Sequence, residues 1–238
     1  MLVTLWIQAI YTALGLTSRR VAFYDPNLTG GSMLDNAGDG YGEPLNVIIS
    51  ALSSPAVLTD EGLLHYAQAI GFSFECLTLH LGAPQSANLG DGNGWVNQTM
   101  ELRQDFGDDD LGTCLESLVG GNHFRVFRQN GTLANSGAIF LAVSQEEDVF
   151  DGHTIIPDGY NAGRDKLVAA AVGLTYHDRV TYSTVAQNLT GLLPPGSEGV
   201  NHGLLSFLFI PFMDISDGTP GIATDGVTVL LTVTIVNH

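Results

Sequence analysis

A histidine and an arginine two positions apart, with a second histidine downstream, form the most promising chemical constellation in the sequence. His123 and Arg125 alternate within the segment HFRVFR, so on a β-strand both side chains project from one face. His153 follows in a predicted loop. If these side chains converge, they supply a general acid or base and a cation that can stabilise negative charge. The pattern predicts a polar His/Arg face that binds a ligand or performs acid–base chemistry.

Further polar residues surround the start of a predicted second helix, and we add three of them to the candidate site. The catalytic candidates are His123, His153 and Asp158, and the binding candidates are Arg125, Arg164 and Asp165. In this interpretation a carboxylate orients the base, and the arginines bind an oxyanion or phosphate. The alternative is structural: Arg125 pairs with Asp165 or Asp158 and joins the helix to the sheet, while His123 is a hydrogen-bonded residue without catalytic function.

The sequence lacks the signatures of several well-marked enzyme classes. It has no GxSxG nucleophile elbow, no GxxxxGK[ST] loop, no HExxH and no strand-GxGxxG-helix unit. Asp91 and Asn93 match the first two ligand positions of a calcium-binding loop, although a plain surface turn is the alternative. We predict no other cofactor and no further metal site.

Two cysteines, Cys76 and Cys114, are the whole complement. In an oxidising compartment they most simply form one disulfide, which adds about 3 to 4 kcal/mol of stability in the chain-entropy model. The alternative is a pair of free, buried thiols. Neither cysteine belongs to a CxxC motif, which disfavours redox catalysis and a zinc ribbon.

Two features of the sequence indicate secretion. Residues 2–16 form an apolar stretch of signal-peptide length, so we expect a signal peptide over residues 1–17 and a single domain over 18–238; a buried first helix or strand is the alternative. Four Asn-X-Thr sequons predict N-glycosylation in an extracellular protein. The acceptor residues are Asn27, Asn97, Asn130 and Asn188.

The composition predicts a folded, strongly acidic domain. Eight basic and 25 acidic residues give a formal net charge of −17, and 45% of residues are hydrophobic, whereas disordered acidic chains contain few hydrophobic residues. Such a charge disfavours nucleic acids and anionic membranes as partners, and we expect no stable membrane span. Much of the acidity falls at 35–43, 105–110 and 146–151, which we interpret as solvated loops.

Apolar runs separated by Gly, Asn and Pro predict the elements that position these residues. We predict an α+β fold: a mainly antiparallel sheet packed with two helices in a single-domain sandwich. A two-residue turn at Asn130-Gly131 is expected to connect two of the strands. The predicted strands are 45–52, 72–81, 123–128, 137–143, 204–213 and 227–236, and the predicted helices are 60–69 and 164–172.

The segment 122–173 resembles the LssY-like C-terminal domain family, which has no assigned activity. The matching residues are His123, Arg125, Phe127, Gly137, Ala138, His153, Pro157, Asp158, Arg164 and Asp165. Phe127 stands where the family more often has tryptophan. The family often accompanies a membrane phosphatase domain, but this chain lacks that domain's motifs, so the resemblance implies no phosphatase activity. The whole chain also resembles secreted proteins of mushroom-forming fungi, which implies a compartment only.

Three functions remain open at this point. The first is a secreted, N-glycosylated binding module that recognises a small molecule or glycan through the His/Arg face. The second is a secreted hydrolase of an ester or phosphoester that uses His123 and His153. The third is a structural wall or surface protein. The sequence leaves open whether the chain is an enzyme.

Overall fold

An eight-stranded mixed sheet is the centre of the fold in a computed structural model that describes residues 20–37, 42–78, 84–201 and 221–237. The strands are β1 (Val47–Ile49), β2 (Phe72–Phe74), β3 (Ser86–Asn88), β4 (Trp95–Asn97), β5 (Met100–Gln104), β6 (Asn122–Asn130), β7 (Asn135–Gln145), β8 (Gly173–His177), β9 (Val180–Leu189), β10 (Glu198–Gly199), β11 (Ile222–Ala223) and β12 (Thr228–Asn237). The order of strands in the large sheet is β2-β5-β6-β7-β1-β12-β9-β8, and every neighbouring pair is antiparallel except β1 and β12. The predicted α+β class with a mainly antiparallel sheet is confirmed.

Three α-helices accompany the sheet in the described ranges, one more than predicted. They are α1 (Asp60–Ala69), α2 (Gly112–Val119) and α3 (Gly159–Ala171). The start of α1 is confirmed, since the Thr59 hydroxyl accepts a hydrogen bond from the Gly62 N–H and so caps the helix. The unpredicted helix α2 directly follows the acidic segment 105–111. The composition of that segment is typical of turns, so it does not indicate that a helix begins after it.

The sheet carries an apolar core on each face because apolar residues occupy consecutive positions of its central strands. In β1, Val47 and Ile49 pack in the core that also contains residues of α1 and α3. Ile48 points to the opposite core, where it packs with Leu45 of the entry segment, residues 42–46 before β1. Continuous apolar runs are typical of strands that are covered on both faces. The sheet therefore lies between two apolar cores within one domain.

Two connections differ from the prediction. The predicted strand 72–81 ends at Phe74, and a 3-10 helix, Cys76–Thr78, follows it; residues 79–83 lie outside the described ranges. The predicted two-residue turn at Asn130-Gly131 is wrong, because Asn130 is still paired with Asn135 and the loop comprises residues 131–134. The Asp91 carboxylate accepts the backbone N–H groups of Asn130 and Gly131, and these contacts stabilise the longer loop.

The C-terminal strand lies inside the sheet. The predicted run 227–236 corresponds to β12, which pairs with β1 on one side and with β9 on the other. The predicted strand 204–213 and the predicted signal peptide both lie outside the described residues. Among the described ranges, no helix combines the length and the apolar composition needed to cross a bilayer.

The predicted disulfide between Cys76 and Cys114 is confirmed, with the two Cα atoms 4.5 Å apart. It connects the 3-10 helix after β2 to the first half of α2. The bond therefore attaches the unpredicted helix to an edge of the sheet.

Candidate functional site

Strands β5 and β6 position the first charged residues of the candidate site. His123 and Arg125 project from one face of β6, as the alternation predicts, and are paired in register with Arg103 and Glu101 of β5. Residues directly opposite one another in an antiparallel pair have adjacent side chains. Two arginines, a histidine and a glutamate are thereby brought together on one face of the sheet.

Glu146 connects the two histidines that the sequence analysis selected. It follows the end of β7 and is 6% exposed. Its Oε1 lies 3.5 Å from His123 Nδ1, and its Oε2 lies 3.5 Å from His153 Nδ1. His123 and His153 therefore converge, but on a carboxylate that we had assigned to a solvated loop. For Glu146 that assignment is wrong, because the side chain is buried and contacts Arg103, His123 and His153.

Arg103 contacts four carboxylates at once. Its Nη1 lies 3.0 Å from Glu146 Oε2 and 3.1 Å from Glu116 Oε2 of α2. Its Nη2 lies 2.9 Å from Glu101 Oε1, and its Nε lies 3.6 Å from Glu75 Oε1. A guanidinium carries five N–H donors in a fixed plane, so one arginine can organise carboxylates from several elements.

Arg125 forms a second centre on the same face. Its Nη1 lies 2.6 Å from Glu43 Oε2, and its Nε lies 3.2 Å from Glu101 Oε2. Asp35 adjoins this pair, since its Oδ1 accepts the Glu43 N–H at 2.6 Å. The expected alternative pairing of Arg125 with Asp165 or Asp158 is wrong, because the entry segment supplies a buried carboxylate beside β6.

The tautomer of His123 follows from its neighbours. Arg125 Nη1 lies 3.0 Å from His123 Nε2, and the Ser144 hydroxyl lies 3.2 Å from the same nitrogen. A guanidinium can only donate, so Nε2 accepts and the neutral ring carries its proton on Nδ1. Burial lowers the pKa of His123, and the neighbouring arginines lower it further despite Glu146, which favours the neutral ring.

These contacts define a buried charge network with more negative than positive groups. Among the described residues it contains six carboxyl groups, two guanidinium groups and two imidazoles. Glu43 and Glu116 are 0% exposed, and Asp35, Glu101 and Glu146 are at most 6% exposed. The members are Asp35, Glu43, Glu75, Glu101, Arg103, Glu116, His123, Arg125, Glu146 and His153.

Burial and charge shift the acidities within the buried charge network in opposite directions. Burial, together with the Glu43 carboxylate, raises the pKa of Asp35 well above its usual value. Burial also raises the pKa of Glu116 to about 7, although Arg103 opposes the shift. Burial disfavours the charged form of Glu146 as well, but His123, His153 and Arg103 together lower its pKa below the ordinary range. The network therefore contains both neutral and ionised acids near neutral pH.

A short loop presents His153 to Glu146. Asp148 caps the 3-10 helix Val149–Asp151 through the N–H groups of Phe150 and Asp151. An isolated bridge between Glu146 and Ile155 closes the loop, and His153 adopts a left-handed backbone with φ 55°. The His153 side chain is 22% exposed, so the loop forms the solvent side of the buried charge network. The Glu146 carboxylate, whose Oε2 lies 3.5 Å from His153 Nδ1, raises the pKa of His153.

The disulfide and the carboxylates of Arg103 are adjacent in sequence. Glu75 precedes Cys76, and Glu116 follows Cys114 by two positions in α2. Both glutamates contact Arg103. The disulfide therefore holds two elements whose carboxylates meet at the same guanidinium.

The remaining candidates, Arg164, Asp165 and Asp158, make their contacts elsewhere. Arg164 binds both carboxylate oxygens of Asp225, at 2.6 and 2.9 Å, and also pairs with Asp165 at 2.8 Å. This group joins α3 to the segment before β12. Asp158 lies just before α3 and accepts a hydrogen bond from the Asn161 side chain. None of these contacts involves a member of the buried charge network.

The Asp91 carboxylate, which we proposed as a calcium ligand, organises two loops. It accepts hydrogen bonds from the N–H groups of Asn93, Asn130 and Gly131 and from the Asn93 side-chain amide. A calcium ion would need the lone pairs that these donors occupy. Calcium binding at Asp91 and Asn93 stays a prediction.

The four sequon asparagines are all exposed. Asn27 lies in the 3-10 helix Pro26–Thr29, Asn97 ends β4, Asn130 ends β6 and Asn188 lies near the end of β9. Exposure is the condition that a glycan needs on a folded surface. Glycosylation and secretion stay predictions.

Seven members of the buried charge network were not predicted as site residues, namely Asp35, Glu43, Glu75, Glu101, Arg103, Glu116 and Glu146. Glu101 and Arg103 alternate within MELRQ, as His123 and Arg125 do within HFRVFR, and this parallel could have indicated two paired strands with charged faces. Glu116 lies in the unpredicted helix α2, two positions after Cys114. No local pattern marks it as buried.

No protein-family model, curated protein or solved structure matches this chain. The resemblance of residues 122–173 to the LssY-like C-terminal domain therefore stays a prediction. Functional interpretation depends on the geometry of the chain itself.

Proposed function

We propose that this chain is a secreted, N-glycosylated binding module that takes a small cation-bearing ligand at the buried charge network. The observation that supports this function best is the excess of carboxyl groups: six of them surround two guanidinium groups among the described residues, and burial raises the pKa of Asp35 and of Glu116 despite the arginines. An ionised carboxylate away from water is costly unless a cation neutralises it. A positively charged ligand would supply the missing neutralisation.

The excess of carboxyl groups in the buried charge network also discriminates between ligand classes. A phosphate or carboxylate ligand would have to approach Glu146 and Glu116 while both arginines are already paired with carboxylates. Like charges at short distance repel strongly in a buried site. The cation-bearing members of the predicted small-molecule class therefore fit this site better than anionic esters do.

One observation favours the hydrolase as a second candidate. Ser144 Oγ lies 3.2 Å from His123 Nε2, and Glu146 lies on the opposite side of the same ring, which is the order of a serine–histidine–carboxylate triad. However, Ser144 and His123 are both 0% exposed, and Arg125 also donates to Nε2. A general base needs that lone pair and a substrate needs access, so binding has the stronger support.

Thermal unfolding with small ions tests the proposed function. We expect putrescine or a divalent metal ion to raise the Tm of the glycosylated protein, while inorganic phosphate leaves it unchanged. Glu146→Gln should reduce the cation-induced shift, whereas Glu61→Gln, which changes an exposed carboxylate of α1, should preserve it. Stabilisation by phosphate and not by cations would contradict the proposal.

An esterase assay tests the second candidate. Under the binding interpretation, the protein does not hydrolyse p-nitrophenyl acetate faster than its Ser144→Ala variant. Hydrolysis by the unmodified protein that Ser144→Ala abolishes, with the fold retained by circular dichroism, would favour the hydrolase.

A further inference from the structure

Three buried side chains of the buried charge network form a group with the spacing of metal ligands. Glu116, His123 and Glu146 each offer one ligand atom, and these atoms all lie within 4.8 Å of one another. They come from three separate elements, namely α2, β6 and the end of β7. Convergence of this kind fixes ligand positions through the fold and not through one flexible loop.

A second observation, independent of the acidic groups, points to a ligand at the same place. Among the described residues, neither His123 Nδ1 nor His153 Nδ1 has a hydrogen-bond partner, although both atoms are buried. The His123 side chain is 0% exposed, and its Nδ1 faces Glu146 Oε1 at 3.5 Å. Buried polar atoms in proteins are nearly always hydrogen-bonded or ligating.

We propose that Glu116, His123 and Glu146 bind a divalent transition-metal ion of the Zn²⁺ class, with His153 as the fourth ligand. This inference rests on the proposed function and identifies its cation. Two carboxylates and two imidazoles form a donor set that suits zinc, manganese or iron, whereas calcium and magnesium prefer oxygen ligands alone. His153 reaches the site from its loop, because its Nδ1 lies 3.5 Å from Glu146 Oε2.

Arg103 does not prevent metal binding. Its Nη1 contacts both proposed carboxylate ligands, but its Nη2 and Nε also contact Glu101 and Glu75. The guanidinium thus keeps two carboxylate partners when a metal ion draws charge from Glu116 and Glu146. In the bound state Arg103 acts as an outer hydrogen-bond donor that orients the ligating carboxylates.

Ligation by His123 requires a defined proton movement. As the ion binds, Nδ1 releases its proton to bulk water and Nε2 takes one proton from bulk water, so the ring stays neutral and presents its Nδ1 lone pair to the metal. Ser144 Oγ, 3.2 Å from Nε2, can accept the new N–H. Arg125 Nη1 can only donate, so it gives up its contact with Nε2 and keeps Glu43 and Glu101 as partners.

Calorimetric titration of chelator-treated, glycosylated full-length protein with Zn²⁺ tests the inference. We expect one equivalent of Zn²⁺ to bind, with Mg²⁺ and Ca²⁺ at least 100-fold weaker, and Co²⁺ to give a visible spectrum of a site with nitrogen ligands. Glu116→Gln and His153→Gln should each weaken Zn²⁺ binding at least tenfold, since loss of a residue that only orients a ligand already costs about 10- to 100-fold. His153 is partly exposed, so its variant should fold.

Matched variants and a second probe separate the outcomes. Glu61→Gln and His65→Gln, on the surface of α1, should bind Zn²⁺ like the unmodified protein. If Glu116→Gln and His153→Gln bind Zn²⁺ with the affinity of the unmodified protein, the assignment of these two ligands is overturned. Absence of Zn²⁺ binding alongside stabilisation by putrescine would overturn the metal site but retain cation binding. Absence of both effects would overturn both proposals.

Discussion

Asp35 and Glu43 place two carboxyl groups side by side where the chain enters the fold. The Glu43 N–H donates to Asp35 Oδ1, and the Glu43 carboxylate pairs with Arg125. Asp35 is 4% exposed, so its ionisation would add a second buried negative charge beside the first. Burial and Glu43 accordingly raise its pKa well above the usual value. The residue illustrates how an acid can be retained in a core at the expense of stability.

We expect Asp35→Asn to stabilise the protein at pH 7 by about 1 kcal/mol. The pKa of the Asp35 carboxyl is higher in the folded protein than in the unfolded chain. Its contribution to the unfolding free energy is therefore complete below the unfolded-state pKa and is lost as pH rises through the folded-state pKa. Asparagine stays neutral across that window. The gain should therefore shrink toward pH 3 in urea unfolding measured at several pH values.

Asp110→Asn is the control for this prediction, because Asp110 is exposed. It should change the unfolding free energy at pH 7 by no more than about 0.5 kcal/mol, as is usual for a surface substitution. A loss of stability at pH 7 in Asp35→Asn would contradict this prediction, because it would show that the ionised Asp35 carboxylate stabilises the folded protein.

At the level of elements, α3 is attached to the sheet by a polar contact as well as by packing. Leu167 and Ala171 lie in the core, while Arg164, which is 4% exposed, binds the Asp225 carboxylate with two hydrogen bonds. Arg164 also donates to the Val227 carbonyl. The helix thereby positions the segment that leads into β12.

We expect Asp225→Asn to destabilise the protein by about 1 to 3 kcal/mol at pH 7, because it leaves a buried guanidinium without its bidentate partner. The hydrogen bonds from Arg164 lower the pKa of Asp225, so its contribution is present above the unfolded-state pKa and is lost as pH falls through the folded-state pKa. Unfolding curves of the two proteins should therefore converge in acid.

Asp165→Asn tests the same arginine through its more exposed partner. Asp165 is 67% exposed and also contacts Arg164, and exposed ion pairs contribute about 1 kcal/mol or less. A larger loss in Asp165→Asn than in Asp225→Asn would contradict the assignment of Asp225 as the principal partner.

Local patterns predicted five strands of the large sheet and the helices α1 and α3, but they did not predict β5, β8, β9 or α2, nor the charged contacts of the site. The cap at Thr59, the apolar runs of β1 and β12 and the alternation of β6 are visible in the sequence because each depends on neighbouring residues. Glu43, Glu116 and Glu146 meet β5 and β6 only through the tertiary fold. The surroundings of Glu43 and Glu146 in sequence, rich in Gly, Asp and Asn, are typical of solvated loops, and for these two residues that interpretation is wrong.

Across the whole molecule, the net charge of −17 divides between surface loops and the interior. Asp108 and Asp110 belong to a turn-rich segment, and Asp110 is exposed, but Asp105 in the same segment is 1% exposed. Five other acids are buried in the charge network. The acidic residues therefore lie in two environments, the solvated loops and the protein interior.

We expect the double variant Cys76→Ser/Cys114→Ser to lose about 3 to 4 kcal/mol of unfolding free energy, because the bond closes a loop with a sequence separation of 38. The same variant should weaken cation binding, since the disulfide holds the elements that carry Glu75 and Glu116. Urea unfolding and Zn²⁺ titration measure the two effects.

Reduction of the unmodified protein by dithiothreitol should reproduce both changes, which separates loss of the bond from the serine side chains. Unchanged Zn²⁺ affinity after a clear loss of stability would show that α2 keeps its position without the disulfide.

The parallel pair of β1 and β12 joins strands from opposite ends of the described chain. Because β12 also pairs with β9, both β1 and β9 expose an unpaired edge until residues 228–237 have left the ribosome. Exposed edges are templates for association with other chains. The sheet can therefore close only after residues 228–237 have been synthesised, and until then these two edges are open to pairing with strands of other chains.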